Sequence, residues 1–406
     1  MNILTFNCGS SSLSYKIFQI DSHDEIEIAV SGKAHRVGVT GSEPSFIEHN
    51  YNGQYVKNTL PIASHREAAA LVFQYVKENS IPIDLIGHRF VHGATYFPRT
   101  AIITEKALEM LEICLPFAPL HNPISLSVIK ESLERYPSIT EYLTFDGAFH
   151  STIPDYAYTY ALPSEIIEQY GYRKYGFHGL SFQYVSGESA RFLNIPLEKL
   201  KLVMCHLGTG GSSVCAVKDG YSIDNSLGYT PLPGLIMSTR SGDIDPMAVI
   251  FLMNNYGYTP DSLEALLNKK SGILGISGFS SDPRDIIEAI KTDETKKEIA
   301  QLALDMYVQR LKKYIGAYIA VMGGIDALVF TDDVGVLSAV IREKVCESMG
   351  WCGVELDYAR NRTIDPKQDS MVNSERSKVY VMTVPTAEEL VICREGLKLH
   401  TEGEMA

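Results

Sequence analysis

Twice in this chain, about 200 residues apart, a short apolar strand runs into small residues and returns as a second strand. In the first copy Ile3-Leu4-Thr5-Phe6 enters Asn7-Cys8-Gly9-Ser10-Ser11-Ser12. The chain then alternates, Leu13, Tyr15 and Ile17 against Ser14 and Lys16, with the period of a strand. In the second copy Leu202-Val203-Met204-Cys205 enters a turn over 206–213 (HLGTGGSS). It returns as Val214-Cys215-Ala216-Val217, and Lys218-Asp219-Gly220 closes a further tight turn. Glycine and serine are ordinary turn residues, so either copy alone also reads as a plain hairpin. The pair predicts a duplicated core, two similar domains whose turns face each other across a cleft.

The rest of the chain alternates strands with amphipathic helices, which makes the fold α/β. Helices are expected over 67–78, 296–319 and 388–400. Strands are expected over 84–90, 141–145, 326–331 and 377–384. The domain boundary is expected between His150 and Pro163.

Composition narrows the function. Of 406 residues, 36 are Lys or Arg and 49 are Asp or Glu, a formal net charge of −13. Such a surface repels phosphate backbones and anionic headgroups, which argues against nucleic-acid and membrane partners. Any anionic ligand then needs locally concentrated positive charge. The seven cysteines form no C-x-x-C pair, pointing to reduced thiols in a cytoplasmic protein and away from a zinc site. No signal peptide is expected at the start. The most apolar stretch, 314–330, is too short and too broken by glycine and Asp326 to span a bilayer.

Polar residues stand at the C-terminal ends of the expected strands, where α/β proteins bind ligands. Arg89 follows Leu85-Ile86-Gly87-His88, and Asp146 follows Tyr142-Leu143-Thr144-Phe145. His178 lies in Tyr175-Gly176-Phe177-His178-Gly179, and Arg240 lies in Ser238–Asp245. Guanidinium forks match phosphate oxygens, and a nearby carboxylate can hold Mg²⁺ against phosphate. Each residue also has a plainer role. Arg89 could pair with a structural carboxylate, Asp146 could cap a turn, and His178 could be a satisfied core histidine. The run 240–245 could be a solvated ion-pair loop, and His121-Asn122-Pro123 a simple turn. The residues alone reach a phosphate-handling α/β enzyme that uses Mg²⁺, without naming its substrate.

An ordered set of strings goes further. NCGSSSL at 7–13, GHRFVHG at 87–93, APLHNP at 118–123, FDGAFHSTIP at 145–154 and YGFHGLS at 175–181 are followed by HLGTGGSS at 206–213. SLGYTPLPGL at 226–235, TRSGDIDP at 239–246, SGILGISG at 271–278, IDALVFT at 325–331 and PTAEELVI at 385–392 complete it. Together they resemble the acetate kinase family. The resemblance implies duplicated actin, sugar kinase and Hsp70-like (ribonuclease H-like) domains around a cleft. These are an N-terminal domain over 1–150, with the helix 388–406 packing back on it, and a C-terminal domain over 151–387 carrying the nucleotide or diphosphate side.

The implied reaction is reversible phosphoryl transfer between acetyl phosphate and a phosphoryl acceptor, with Mg²⁺ or Mn²⁺ and in a homodimer. By this resemblance Arg89 and Arg240 would grip the phosphoryl group, with His178 donating a further hydrogen bond. Asn7, Asp146 and Glu388 would hold the metal directly or through its waters. Without the resemblance, Glu388 and Glu389 read as an acidic pair favoured by a helix N-terminus. Val91, Leu120, Phe177 and Pro231 would wall a pocket for the acetate methyl. Such a pocket discriminates one methylene by only about 1–3 kcal/mol, so propionate is an expected second substrate. Ser12, His121, His206, Gly208, Thr209 and Gly210 would contact phosphates of the second substrate, with Asp282 and Arg284 near an adenine edge.

The departures cluster on the nucleotide side. Family members that use ATP carry a glycine-rich A-G-I-G-E-N stretch where this chain reads Asp332-Asp333-Val334-Gly335-Val336-Leu337. Thr209 stands where those members carry Asn, and Leu180 and Phe182 replace a Thr and a His. Asp332 and Asp333 are expected to fill the space a purine and ribose would take. That pattern resembles the branch using phosphate and pyrophosphate in place of ADP and ATP, and phosphate is therefore the expected acceptor. An ordinary ATP/ADP-dependent acetate kinase is the alternative, with repositioned backbone still binding nucleotide. A sugar kinase of the same superfamily would need a catalytic Asp base and a larger polar pocket. A phosphate sensor would have no need of the whole set Arg89, Asp146, His178, Arg240 and Glu388.

Overall fold

The structure is a computed structural model that describes residues 1–39, 41 and 43–402. The chain divides into two compact units, one formed by Met1–Phe149 with the residues from Ala387 onward, the other by His150–Thr386.

The first unit is built on an eight-stranded sheet. Its strands are β1 (Asn2–Cys8), β2 (Ser12–Ile20), β3 (Ile26–His35), β4 (Phe46–Tyr51), β5 (Gln54–Thr59), β6 (Leu85–Phe90), β7 (Ala101–Ile102) and β8 (Thr140–Phe145). The order is β5-β4-β3-β2-β1-β6-β8-β7. β1 is antiparallel to β2 and parallel to β6, and β6 is parallel to β8. Alternation decides which face each residue takes: Leu4, Phe6, Leu13 and Tyr15 pack with Val72, Phe73 and Val76 of helix α1 (His65–Glu78) and Val128 of helix α2 (Asn122–Arg135). Ser64 starts α1 by accepting the Glu67 amide proton. The C-terminal helix Glu388–Thr401 lies against β1 and β6. There Tyr142 Oη donates to Ile392 O at 2.7 Å, and a Cβ at Gly396 would stand 2.3 Å from the Tyr142 ring. Only glycine lets that helix approach so closely.

The second unit repeats the scheme. Its strands are β9 (Lys201–Gly208), β10 (Gly211–Lys218), β11 (Tyr221–Asn225), β12 (Ala327–Thr331), β13 (Ser370–Met371) and β14 (Tyr380–Thr383), in the order β11-β10-β9-β12-β14-β13. Three antiparallel strands are followed by two parallel additions, as in β3-β2-β1-β6-β8. The core joins Val203, Cys205, Val214 and Leu328 to Leu304, Leu311 and Ile315. Those three belong to the long helix Lys297–Met322. In chain order the helices used here are α3 (Gly179–Leu193), α4 (Pro246–Tyr256), α5 (Pro283–Thr292), α6 (Lys297–Met322) and α7 (Asp332–Leu337).

The duplicated α/β fold expected from the two strand–turn–strand units is present. Local outlines differ. The 206–213 turn shrinks to Thr209-Gly210, because Gly208 and Gly211 already pair across the hairpin. At Asp219-Gly220 both residues have positive φ, 55° and 85°, the two-residue turn that matches strand twist. The stretch after Thr331, where ATP-using members of the family carry glycine-rich sequence, is the short helix α7. The strand expected over 377–384 is confined to Tyr380–Thr383. Among the described residues no helix is long and apolar enough to cross a membrane.

Candidate active site

In the first unit, parallel pairing of β1, β6 and β8 brings their C-terminal ends together. Arg89 sits at one end, Asp146 just past another, and Asn7 near the end of β1. Arg89 Nε and Nη2 donate to Asp146 Oδ1 and Oδ2 at 2.7 and 2.6 Å. Its Nη1 donates to Asn7 Oδ1 at 2.8 Å and stands 3.6 Å from Glu388 Oε2. Asn7 Nδ2 donates to Glu388 Oε2 at 2.8 Å, and Lys16 pairs with Glu389 at 3.3 Å. Burial pulls the Arg89 pKa down, but the Asp146 and Glu388 carboxylates outweigh it and hold the guanidinium above its ordinary value. Asp146 is buried, so this is a bidentate ion pair largely withdrawn from water. The plainer role foreseen for Arg89, pairing with a carboxylate, is present in this contact.

Asn7, Asp146 and Glu388 therefore surround one cation with oxygen donors. Among the described residues there is no group of three or more His, Cys, Asp or Glu placed to hold a metal. Mg²⁺ on phosphates needs only one or two carboxylates and keeps several waters. Two carboxylates and an amide oxygen fit that requirement. Cys8 is close to the same cluster, yet burial pushes its thiol up to about 12, which leaves it inert.

The second unit gathers the other candidates around β9 and β10. His178 heads α3 with φ of 59°, a left-handed conformation that costs a non-glycine residue strain. That turn places its Nδ1 2.8 Å from Ser213 Oγ and stacks its ring on His206 at 4.1 Å. Buried His150 braces it from behind: Nε2 lies 2.9 Å from Phe177 O and Nδ1 2.8 Å from Ser222 Oγ. A Cβ on Gly211 would stand 3.2 Å from Arg240 Nη1 and 3.5 Å from His178 Nε2, so the missing side chain leaves room where both groups converge. Arg240 Nη1 donates to Pro231 O at 3.2 Å and lies 3.8 Å from Met237 Sδ. No carboxylate neutralises it among the described residues. Burial alone lowers its pKa.

The loop between β9 and β10 is held by the two aspartates that depart from the family pattern. Thr209 N and Oγ1 donate to Asp333 Oδ1 and Oδ2 at 3.0 and 2.9 Å. Asp332, at φ of 64°, brings Oδ2 to 3.1 Å from His206 Nε2, and to 2.0 Å from where a Cβ of Gly208 would be. Gly210 faces open space. Asp282 accepts the Arg284 amide proton as the N-cap of α5 and also pairs with its guanidinium. Gly335 is tied through its carbonyl to buried Arg342 at 2.8 Å.

The sequence leads one to expect the two carboxylates in the space of a purine and ribose; in the structure both turn onto the loop. Asp333 turns back onto Thr209, and a cavity of about 300 Å³ opens beside it, lined by Arg284, Ile287, Val334, Leu337, Ala339 and Val340 among others. That is within the range of small-molecule sites. The change of Asn to Leu at 337 supplies an apolar wall there.

The methyl-pocket candidates fall in both units. Val91 and Phe177 are buried, Pro231 is half-buried, and Leu120 is exposed just before α2. His121 is the N-cap residue of α2, and its side chain makes no capping bond. Ser12 opens β2, where its carbonyl accepts the Gly9 amide proton at 2.9 Å. Sequence reasoning missed His150, Ser213, Lys16 and Arg342. The first two lie inside strings already quoted, FDGAFHSTIP and HLGTGGSS. Lys16 and Arg342 carry no local signal.

Two α/β units of one topology, one with an ion-paired guanidinium at its strand ends and the other with an un-neutralised one, define a protein of the duplicated actin, sugar kinase and Hsp70 class. The chain belongs to the acetokinase family, which it matches over residues 2–394. It is 44% identical to the acetate kinase of Caldicellulosiruptor saccharolyticus, over 98% of this chain and 99% of that one. Among solved structures it resembles the acetate kinase of Entamoeba histolytica (43% identity, TM-score 0.88, 98% and 99% covered). It also resembles a propionate kinase of Francisella tularensis (34%, 0.87, 97% and 98%). The protein is an enzyme, a phosphotransferase with a carboxyl group as acceptor. Nothing in these relatives singles out a pyrophosphate-using branch.

Proposed function

We propose that the enzyme interconverts acetyl phosphate plus ADP with acetate plus ATP. The observation that carries the phosphoryl role is Arg240, a partly buried guanidinium beside His178 with no carboxylate of its own. Such a group gains most from a bound oxyanion. In this reading Arg240 neutralises the equatorial oxygens of the phosphoryl group and His178 donates to them. The Asp146-anchored Arg89 supplies the second guanidinium. Acetate carboxylate is already a competent nucleophile, so the work is positioning and charge stabilisation, not proton abstraction. The family generally uses a divalent metal. Asn7, Asp146 and Glu388 are the residues proposed to hold Mg²⁺ or Mn²⁺, which when bound neutralises phosphate oxygens. Val91, Leu120, Phe177 and Pro231 are proposed for the methyl group, with propionate accepted more weakly.

The cavity beside Asp333 supports a nucleotide, with Arg284 and Leu337 toward the base. A second reading has its own observation: Asp333 occupies the Thr209 amide and adds charge where a polyphosphate tail would lie, which favours inorganic phosphate as acceptor and pyrophosphate as product. Acetyl phosphate consumption measured side by side with ADP and with phosphate, in Mg²⁺, separates the two. ATP formation with ADP alone supports the first. Pyrophosphate formation with no use of ADP overturns it.

We further propose a homodimer. Helix α4 buries none of its residues, and Met247, Ile250, Phe251 and Tyr256 stand exposed on it. A face this apolar suits a second copy.

A further inference from the structure

We propose that Asp243 is a positioning residue that fixes Arg240 by closing the segment 234–243 into a ring; the inference rests on the phosphoryl role given to Arg240 above. Gly234 N donates to Asp243 Oδ1 at 2.8 Å, and Asp243 N donates back to Gly234 O at 3.2 Å. The ring is bolted to α6 from outside. Tyr314 Oη donates to Asp243 Oδ2 at 2.8 Å. Arg310 Nη1 donates to Gly234 O at 2.8 Å, and its Nη2 to Asp243 O at 3.3 Å.

Inside the ring the backbone is tight. Gly234 and Gly242 have φ of 95° and 67°, and a Cβ on Gly242 would stand 2.3 Å from Leu235 O. Arg240 O accepts from Met237 N at 3.1 Å, and Ser271 N donates to Thr239 O at 3.0 Å. The backbone under Arg240 thus has little freedom while the ring is shut. Among the described residues its guanidinium has only Pro231 O and Met237 Sδ to hold it. A partly buried cation without a carboxylate partner takes its direction from its backbone, so ring closure by Asp243 decides where the guanidinium points.

A misplacement of about 1 Å in a reacting group can cost about 100-fold in rate. Asp243→Ala is therefore expected to lower kcat by about 10- to 100-fold with the KM for acetate little changed. Asp243→Asn keeps an acceptor for Gly234 N and should recover part of the loss. Tyr314→Phe removes one hydroxyl and should show the same kcat-only pattern at a few-fold. The decisive measurement is a double-mutant cycle by single-turnover kinetics. If Asp243 acts through Arg240, Asp243→Ala costs less than about 2-fold in an Arg240→Ala background. The same factor in both backgrounds, a rise in KM alone, or an unchanged kcat overturns the proposal. Tyr314→Phe cuts the tether that holds the ring-closing Asp243 carboxylate without removing a ring side chain, so it reports even if Asp243→Ala folds poorly, and an unchanged Tyr314→Phe kcat then counts against the proposal. Failure of the phosphoryl reading would show separately, as full activity in Arg240→Ala alone.

Discussion

Removing either guanidinium should abolish most activity, but the two losses should have opposite signatures in stability. Arg89→Ala strips a bidentate partner from Asp146, whose side chain is 1% exposed, and also uncovers Glu388 and Asn7 Oδ1. Breaking a buried pair by deleting one member costs about 3–5 kcal/mol, and at about 2–4 °C per kcal/mol for a unit of this size the Tm should fall by about 6–20 °C. Arg240→Ala deletes a cation that burial already disfavours and that faces no carboxylate among the described residues. Among the described residues only Pro231 O and the weakly accepting Met237 Sδ lose a donor, so stability should stay within about 1 kcal/mol of the wild type. Both variants should lose about 100- to 1,000-fold in kcat if the groups stabilise developing charge. Calorimetry with an acetyl phosphate assay reads both quantities, and Asp146→Ala added to Arg89→Ala should restore part of the Tm. Equal Tm losses for the two single variants, or a wild-type Tm for Arg89→Ala, would refute the reasoning.

Three further outcomes follow from particular contacts. Burial holds His49, whose Nδ1 lies 2.6 Å from Tyr15 Oη, down at about 4 against the pull of Glu48. The unfolded chain then binds more protons than the folded one between about pH 4 and 6.5. This contribution is full above about 6.5 and lost as pH falls to about 4; His49→Gln should flatten the acid side of a Tm–pH curve. Asp333→Ala frees Thr209 N and Oγ1, and should lower the KM for the phosphoryl acceptor by about 2- to 10-fold while leaving that for acetate unchanged. Phe251→Asp on α4 should convert a dimer to a monomer by analytical ultracentrifugation, and an unchanged mass would remove α4 from the interface.

The frame of the fold was readable because two physical patterns coincide in it. Alternating apolar residues in Leu13–Ile17 and unbroken apolar runs such as Leu202–Cys205 become an antiparallel strand and a strand at the centre of its sheet, as their periodicity requires. Strands β3, β4 and β5 escaped notice. β5 is exposed along its whole length and β3 mixes exposed and buried positions, so hydrophobic period carries no signal there. The ends of elements were misplaced where backbone pairing overrode composition: Gly208 and Gly211 look like turn residues yet pair in the ladder.

At the site, residue type was legible and charge balance was not. Two arginines at strand ends look alike in the sequence, and both were read as phosphate ligands. Folding distinguishes them through partners far away in the chain: Asp146 and Glu388 come to Arg89 by parallel strand pairing and by the C-terminal helix, while among the described residues no carboxylate comes to Arg240. The same long-range effect reverses the meaning of Asp332 and Asp333. As letters in a glycine-rich stretch they add bulk and charge to a nucleotide pocket. In the fold they turn onto His206 and Thr209, and the cavity beside them stays open. A carboxylate's effect on a neighbouring anion site depends on which donors it has already taken. Those donors are assigned by strand register and backbone conformation, here a left-handed Asp332 following a strand aligned with His206. Substituting Asp332 and Asp333 should therefore act on the loop that carries Thr209 before it acts on the size of the cavity.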